Sequence, residues 1–163
     1  MVNDAGAIAR VHVASWRTTY SGIVPDAYLT GLDETLRAKL WHEWLSGETA
    51  VLVAEHAGSV VGFAHAGKIR EPVESCHAEL YSLYLLKEVQ GKGIGSELLK
   101  AVAAIMEKQG FGSMAVWVLE QNRSRFFYER SGARLANSRV IEIGGAKLME
   151  VAYCWPDLRS LTQ

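Results

Sequence analysis

The stretch Gln90-Gly91-Lys92-Gly93-Ile94-Gly95-Ser96 carries the residue types and spacing that point most directly to chemistry in this 163-residue chain. Behind it runs an apolar stripe of helical period, Ile94, Leu98, Leu99, Val102, Ile105 and Met106; ahead of it lies an apolar run of strand length, Leu80 to Leu86. A helix that opens on such a loop offers unpartnered N–H groups at the positive end of its dipole, and so attracts phosphate. Glycine lets the main chain approach the oxygens and take φ > 0, and Lys92 can add a positive charge at the rim. Three alternating glycines would also serve a plain tight turn, and the spacing alone leaves that reading open.

Spacing separates two other phosphate-binding motifs. A P-loop needs Ser or Thr directly after its lysine, whereas Lys92 is followed by Gly93. The dinucleotide fingerprint needs G-x-G-x-x-G, and Gly91, Gly93 and Gly95 give G-x-G-x-G. Glu120, after the next predicted strand, could imitate the ribose-binding acid, so a nucleotide-binding oxidoreductase stays among the alternatives.

Gln90, Gly93 and Gly95, set between strand and helix as Gln-x-x-Gly-x-Gly, resemble the acetyl-CoA signature of the GNAT N-acetyltransferases. A second block, Val118 to Ala133 with Asn122, Tyr128, Glu129 and Gly132, is similar to that family's N-x-x-x-x-x-Y-E-x-x-G segment. With the flanking elements the resemblance covers nearly the whole chain. It implies a single N-acetyltransferase domain over 1–163, of α/β class, with a GNAT-like mixed β-sheet flanked by helices.

Composition sets the bounds. The length fits one domain with a substantial core. Hydrophobic residues at 49% and charged residues at 21% are ordinary for a globular protein. Basic and acidic residues, 17 and 18, are interspersed to a net charge of −1, so no basic footprint argues for nucleic acid. Cys76 and Cys154 lie far apart and form no C-x-x-C unit, so they read as two buried or reduced thiols suited to the cytoplasm. No basic leader with an apolar core and no apolar run of spanning length is present in the sequence, so neither signal peptide nor membrane anchor is expected. The five histidines show no metal-binding spacing.

The remaining elements must hold the loop in place. Asn3 or Asp4 can cap a first helix carrying Ile8, Val11, His12, Ser15 and Trp16 toward Tyr20. Pro25 to Leu29 suits a short second helix. A third begins after Asp33, with Leu36, Leu40, Trp41, Trp44 and Leu45 as its apolar face and Gly47 as its stop. From Ala50 to Ile69 two strands flank Ala57-Gly58-Ser59 as a hairpin. The Arg70 to Cys76 connection follows, with Arg70, Glu71 and Glu74 as a solvated loop. Gly110 can close the long helix. Ser113 to Leu119, apolar on both faces, predicts an interior strand parallel to the central one. A helix spans about Asn122 to Ser131, and Arg139 to Ile143 and Lys147 to Trp155 form a final hairpin at Gly144-Gly145. The order is α-α-α-β-β-β-α-β-α-β-β, in which the family's first strand is not identified.

Acetyl transfer from a thioester to an amine needs a held cofactor, a stabilised oxyanion, a neutral amine and a proton for the leaving thiolate. The resemblance implies that main-chain groups of Leu83, Tyr84 and Leu85 hold the pantetheine arm and acetyl carbonyl as an added strand would, with an N–H near Leu85 as oxyanion donor. It places the pyrophosphate on Gly91, Lys92, Gly93, Ile94, Gly95 and Ser96, next to Gln90. Asn122 matches the family residue that reaches the cofactor arm, although a helix N-cap would use the same residue. Tyr128 matches the tyrosine that protonates the thiolate; a core aromatic is the alternative. Glu79, at the start of the central strand, could take the amine's proton or be a solvated strand-end carboxylate, with His77 and Tyr81 as weaker candidates.

The sequence thus leads to an N-acetyltransferase that moves the acetyl group of acetyl-CoA directly to a primary amine, of a small molecule in preference to a peptide or protein. The acceptor would contact Tyr20 to Leu32 and the last hairpin; no metal, membrane or nucleic acid is called for. A non-catalytic acyl-CoA-binding regulatory domain is the alternative from another class. The five tryptophans and further aromatics are compatible with a homodimer.

Overall fold

The computed structural model describes residues 4–163; Asn3, one of the two cap candidates, lies outside the described residues. Three helices come first: α1 (Ala5–Thr19), with Asp4 at its N-cap position, α2 (Asp26–Thr30) behind Pro25, and α3 (Glu34–Leu45). Asp33 caps α3 by accepting a hydrogen bond from the Leu36 amide at 2.8 Å. Strands β1 (Ala50–His56) and β2 (Ser59–Lys68) form the expected hairpin, and β3 (Ala78–Leu85) follows after the 69–77 connection. Then come α4 (Ile94–Lys108), β4 (Met114–Leu119), α5 (Arg125–Arg130), β5 (Arg134–Ile143), β6 (Ala146–Trp155) and a closing turn of helix, α6 (Arg159–Thr162).

Six strands make one mixed sheet in the order β1-β2-β3-β4-β6-β5. Only β3 and β4 run parallel, joined through α4; the other pairs are antiparallel. The stripe read from α4 lands on one face of the sheet: Leu98, Leu99, Val102 and Met106 are buried against Leu80, Met114, Val116 and Trp155, and Ile94 and Ile105 pack at its border. The opposite face is covered by α1 and α3 over β1–β3, by the 69–77 connection over β4 and β6, and by the segment around Tyr20 to Leu29 over Leu119.

Several boundaries differ from the sequence reading. In α3 only Trp41 is fully buried; Leu36, Leu40 and Trp44 face solvent, because the helix docks along Ala38, Trp41 and Leu45. Among the described residues no strand precedes α1, so the sheet begins with β1. The α5 helix starts at Arg125 rather than near Asn122, and β5 begins five residues before Arg139 because it pairs with β6 through to Cys154.

The cysteines are the largest correction. Cys76 and Cys154 form a disulfide across a sequence separation of 78. Distance along the chain misled here: β6 runs beside β4, the 69–77 connection folds over the same strands, and Cys76 meets Cys154 in a buried cluster with Val73, Ala115 and Ala152. The thiol argument for a reducing compartment goes with it. The loop that seemed solvated is also tied down, since Arg70 grips Glu79 and Glu71 pairs with Arg139.

Candidate active site

The site starts where a ladder stops. β3 and β4 pair only through Ala78↔Met114, Glu79↔Ala115 and Leu80↔Val116. Beyond that point β3 stays with β2 as far as Leu85↔Gly62, while β4 stays with β6 as far as Leu119↔Glu150. The two strands therefore diverge, and a cavity of about 470 Å³ opens between them. Half of the backbone groups of β3 beyond Leu80 lack a strand on that side, which is the condition for a ligand to add to a sheet. This also explains why Tyr81 to Leu85 are only half-buried although the run is apolar.

The glycine loop forms one end of the cavity. Gly93 occupies the N-cap of α4 at φ 86°, a left-handed conformation that favours glycine. Gly95 is buried in the first turn of α4, where a Cβ would reach contact distance of Leu85 Cδ1, 3.4 Å, and of the Phe127 ring, 3.7 Å, so this turn packs against β3 and α5. Gln90 donates from Nε2 to the Leu85 carbonyl at 3.1 Å, and Ser15 Oγ donates to the same oxygen at 3.2 Å, fixing the strand end to the loop.

Of the cofactor residues read from the sequence, Leu83, Tyr84, Leu85, Gln90, Gly91, Gly93, Gly95, Ser96, Asn122 and Tyr128 all line this one cavity. The side chains of Lys92 and Ile94 do not; Lys92 is exposed and Ile94 packs against the core. Asn122 is buried but is not the helix cap. Its Oδ1 accepts from the Ser124 amide at 2.9 Å and its Nδ2 donates to the Tyr20 hydroxyl at 3.4 Å. Tyr128 is 5% exposed, and burial, with the neighbouring Tyr20 phenol, pushes its hydroxyl well above the ordinary range, so it stays protonated. Sequence reasoning named Tyr20 only as the start of the acceptor segment, and missed Arg123 and Arg130 as cavity walls. The two arginines could have been noticed because they flank Asn122 and Tyr128 inside the second block.

Glu79 lies elsewhere. Its side chain is 3% exposed, and its oxygens accept from the Arg70 amide at 3.1 Å, from Nε at 3.2 Å and from the guanidinium end at 2.5 Å. It lines a smaller cavity of about 140 Å³ with Arg70, Glu71, Trp117 and Arg139, not the large one. Neither the solvated carboxylate nor a free base describes it. His77 is exposed, 3.2 Å from Ser113 Oγ, and Tyr81 donates to the Lys68 carbonyl at 2.5 Å. Among the described residues no cluster of His, Cys, Asp or Glu could hold a metal ion, and no helix is long and apolar enough to cross a membrane.

A splayed parallel pair, an anion-attracting helix start at its mouth and a buried phenol inside define an acyl-transfer fold of the coenzyme A type. Residues 13–133 match the model of the acetyltransferase (GNAT) family. The chain is 41% identical over 160 residues to the uncharacterized N-acetyltransferase YuaI of Bacillus subtilis (strain 168), covering 98% of this chain and 92% of that protein. It is 27% identical over 140 residues to a spermidine N(1)-acetyltransferase of Thermoplasma acidophilum, covering 84% and 86%. The solved PaiA N-acetyltransferase of Thermoplasma acidophilum, in complex with coenzyme A, matches with TM-score 0.69 and 26% identity over 91% of this chain and 92% of that one. The fold is shared with YncA of Salmonella typhimurium at TM-score 0.72 and 21% identity, covering 97% and 90%. This chain belongs to the GNAT family and is an acetyl-CoA-dependent acetyltransferase.

Proposed function

We propose that the enzyme transfers acetyl from acetyl-CoA to a primary amine of a small molecule, directly and within a ternary complex. The observation that carries this reading is the divergence of β3 and β4 after Leu80 and Val116, with the α4 N-terminus and Tyr128 on one cavity. Main-chain groups of Leu83, Tyr84 and Leu85 hold the pantetheine arm, and the amides of Gly93 to Ser96 receive the pyrophosphate, assisted by their dipole. Asn122 reaches the arm from the cavity wall.

In the transfer the amine nitrogen bonds to the thioester carbonyl carbon, the C–S bond breaks, and the electron pair leaves on sulfur. Tyr128, which burial keeps protonated, hydrogen-bonds to that sulfur and gives it its proton as the C–S bond breaks, and the phenolate is reprotonated from solvent. The proton lost by the amine goes to water, because the Glu79 carboxylate is occupied by Arg70; Glu79 then acts by holding Arg70 rather than as the base. Direct transfer is supported by the cysteines: the sequence has two, and both are in the disulfide, so no thiol is free to carry acetyl. Small amines are supported by the spermidine N(1)-acetyltransferase and by an L-amino acid N-acyltransferase of Escherichia coli, 27% identical over 116 residues.

Thiol release from acetyl-CoA, measured over polyamines, amino acids, aminoglycosides and N-terminal peptides, tests the proposal. Turnover with a small amine and intersecting double-reciprocal lines are expected. Turnover on peptides alone would overturn the substrate class, parallel lines would overturn direct transfer, and tight binding of acetyl-CoA with no turnover would leave a binding domain.

A further inference from the structure

The cavity holds a second phenol that the thiolate-protonation step does not use. Tyr20 ends α1, its amide bonded to the Trp16 carbonyl at 2.9 Å, and its ring lies against Trp16 at 4.6 Å between centroids. It is 6% exposed, packs with Val24, Leu29 and Leu119, and lines the cavity together with Tyr84, Asn122 and Tyr128.

Its oxygen has a donor in the buried Asn122 amide. The Asn122 amide cannot flip, because Oδ1 is committed to the Ser124 amide, so it is Nδ2 that faces the Tyr20 oxygen. The Tyr84 phenol packs beside it in the same cluster. A phenol oxygen carries one hydrogen and accepts two bonds at most. Asn122 occupies one acceptor position of the oxygen and Tyr20 lines the cavity, so its hydroxyl hydrogen is free to turn into the cavity.

We propose that Tyr20 is a second catalytic hydroxyl, donating its hydrogen bond from the cavity wall to the oxyanion that forms on the acetyl carbonyl. This rests on the acetyltransferase reading of the site. Tyr128 belongs to the cluster on the α4 face of the sheet and Tyr20 to the cluster on the α1 face, so the two phenols enter the cavity from opposite sides. Charge develops on two atoms during the transfer, sulfur and oxygen. With Tyr128 on sulfur, a donor from the other side serves the oxygen, and no proton needs to leave Tyr20 for it to act.

The test is Tyr20→Phe, which removes the hydroxyl and keeps the ring that packs on Trp16. Affinity for acetyl-CoA, read by calorimetry, should stay within about twofold, while kcat should fall roughly 10²-fold, the usual effect of losing one oxyanion donor. Site-specific 3-fluorotyrosine at position 20, nearly isosteric and a stronger donor, should raise kcat severalfold with acetyl-CoA binding unchanged. Wild-type kcat in both variants, with at most a lowered melting temperature in Tyr20→Phe, would make Tyr20 a packing residue and overturn the proposal. If Tyr20→Phe does not fold, the fluorinated protein alone decides, unchanged kcat again being the overturning result. A wild-type protein that releases no thiol with any amine overturns the transfer reading and this inference together. Normal wild-type turnover with an indifferent Tyr20 overturns the inference alone.

Discussion

Removing the disulfide gives the sharpest test of how the chain is held together. The perturbation is the double replacement Cys76→Ala and Cys154→Ala, which leaves no odd thiol. The bond closes a loop of 78 residues. In the chain-entropy account, such a closure restricts the unfolded state by about 15 cal/mol/K, or about 4.5 kcal/mol at room temperature. For a chain of 163 residues, unfolding entropies near ~2.1 cal/mol/K per residue convert that into a fall in Tm of roughly 9–18 °C. Thermal melts of the oxidised protein, the reduced protein and the double variant measure it. The sulfurs sit on residues only 5% and 2% exposed, so reductant should act slowly on the native fold and fast once it is denatured. The local consequence is at the 69–77 connection, whose Arg70 and Glu71 bond Glu79 and Arg139. Two free thiols titrating in the denatured, unreduced protein, or oxidised and reduced forms melting within about 2 °C of each other, would refute the reasoning.

Three other outcomes are expected. Gly95→Asp should abolish the rise in Tm that acetyl-CoA gives the native protein, since it puts a Cβ against Leu85 and Phe127 and a negative charge at the α4 start; an unaltered shift in a folded variant would reduce the loop to a turn. Tyr128→Phe should bind acetyl-CoA normally and lose roughly 10² or more in kcat, whereas a purely structural tyrosine would show only about 1 kcal/mol of lost stability. Stability should decline as pH falls below 6.5, because burial lowers His12 to about 3 and His65 to about 4. Both are depressed in the fold, so their contribution is fully present above 6.5 and is lost toward pH 4, at up to about 1.4 kcal/mol per pH unit for each; chemical denaturation at pH 7 and pH 5 measures it, and equal stabilities would refute it.

Elements defined by local chemistry were legible in the sequence: the Asp33 cap, the 57–59 turn, the α4 stripe and the glycine loop. Tyr128 and Asn122 were legible because the second block keeps its internal spacing. What could not be read depends on which strands become neighbours. Cys76 meets Cys154 only because β6 inserts beside β4. Glu79 looked like a strand-end acid because Arg70, nine residues earlier, looked like loop; folding back over the sheet lets an exposed Arg70 cover and pair with a buried Glu79. Tyr20 carried no motif at all, and its place in the cavity follows from the docking of α1 over Leu119 and Tyr84. The exposed side of α3 was overread because an amphipathic pattern gives a face but not how much of it the neighbouring helix covers.

The end of the parallel ladder at Leu80 and Val116 has a consequence for how this sheet can be trusted with an open backbone. A row of unpaired amides and carbonyls at the rim of a sheet is a template for aggregation, because any other strand can join it. Here the row is interior: it begins in the middle of a six-stranded sheet and is walled by α1 on one side, α4 and α5 on the other, and β4 in front. So enclosed, the row is reached only by what enters the cavity of about 470 Å³. The edge exists because the pairing of two strands stops after three residues. Substitutions among strand-forming side chains at Leu83 or Leu85 leave it in place, and a change that zipped β3 onto β4 for one more pair of residues would erase it.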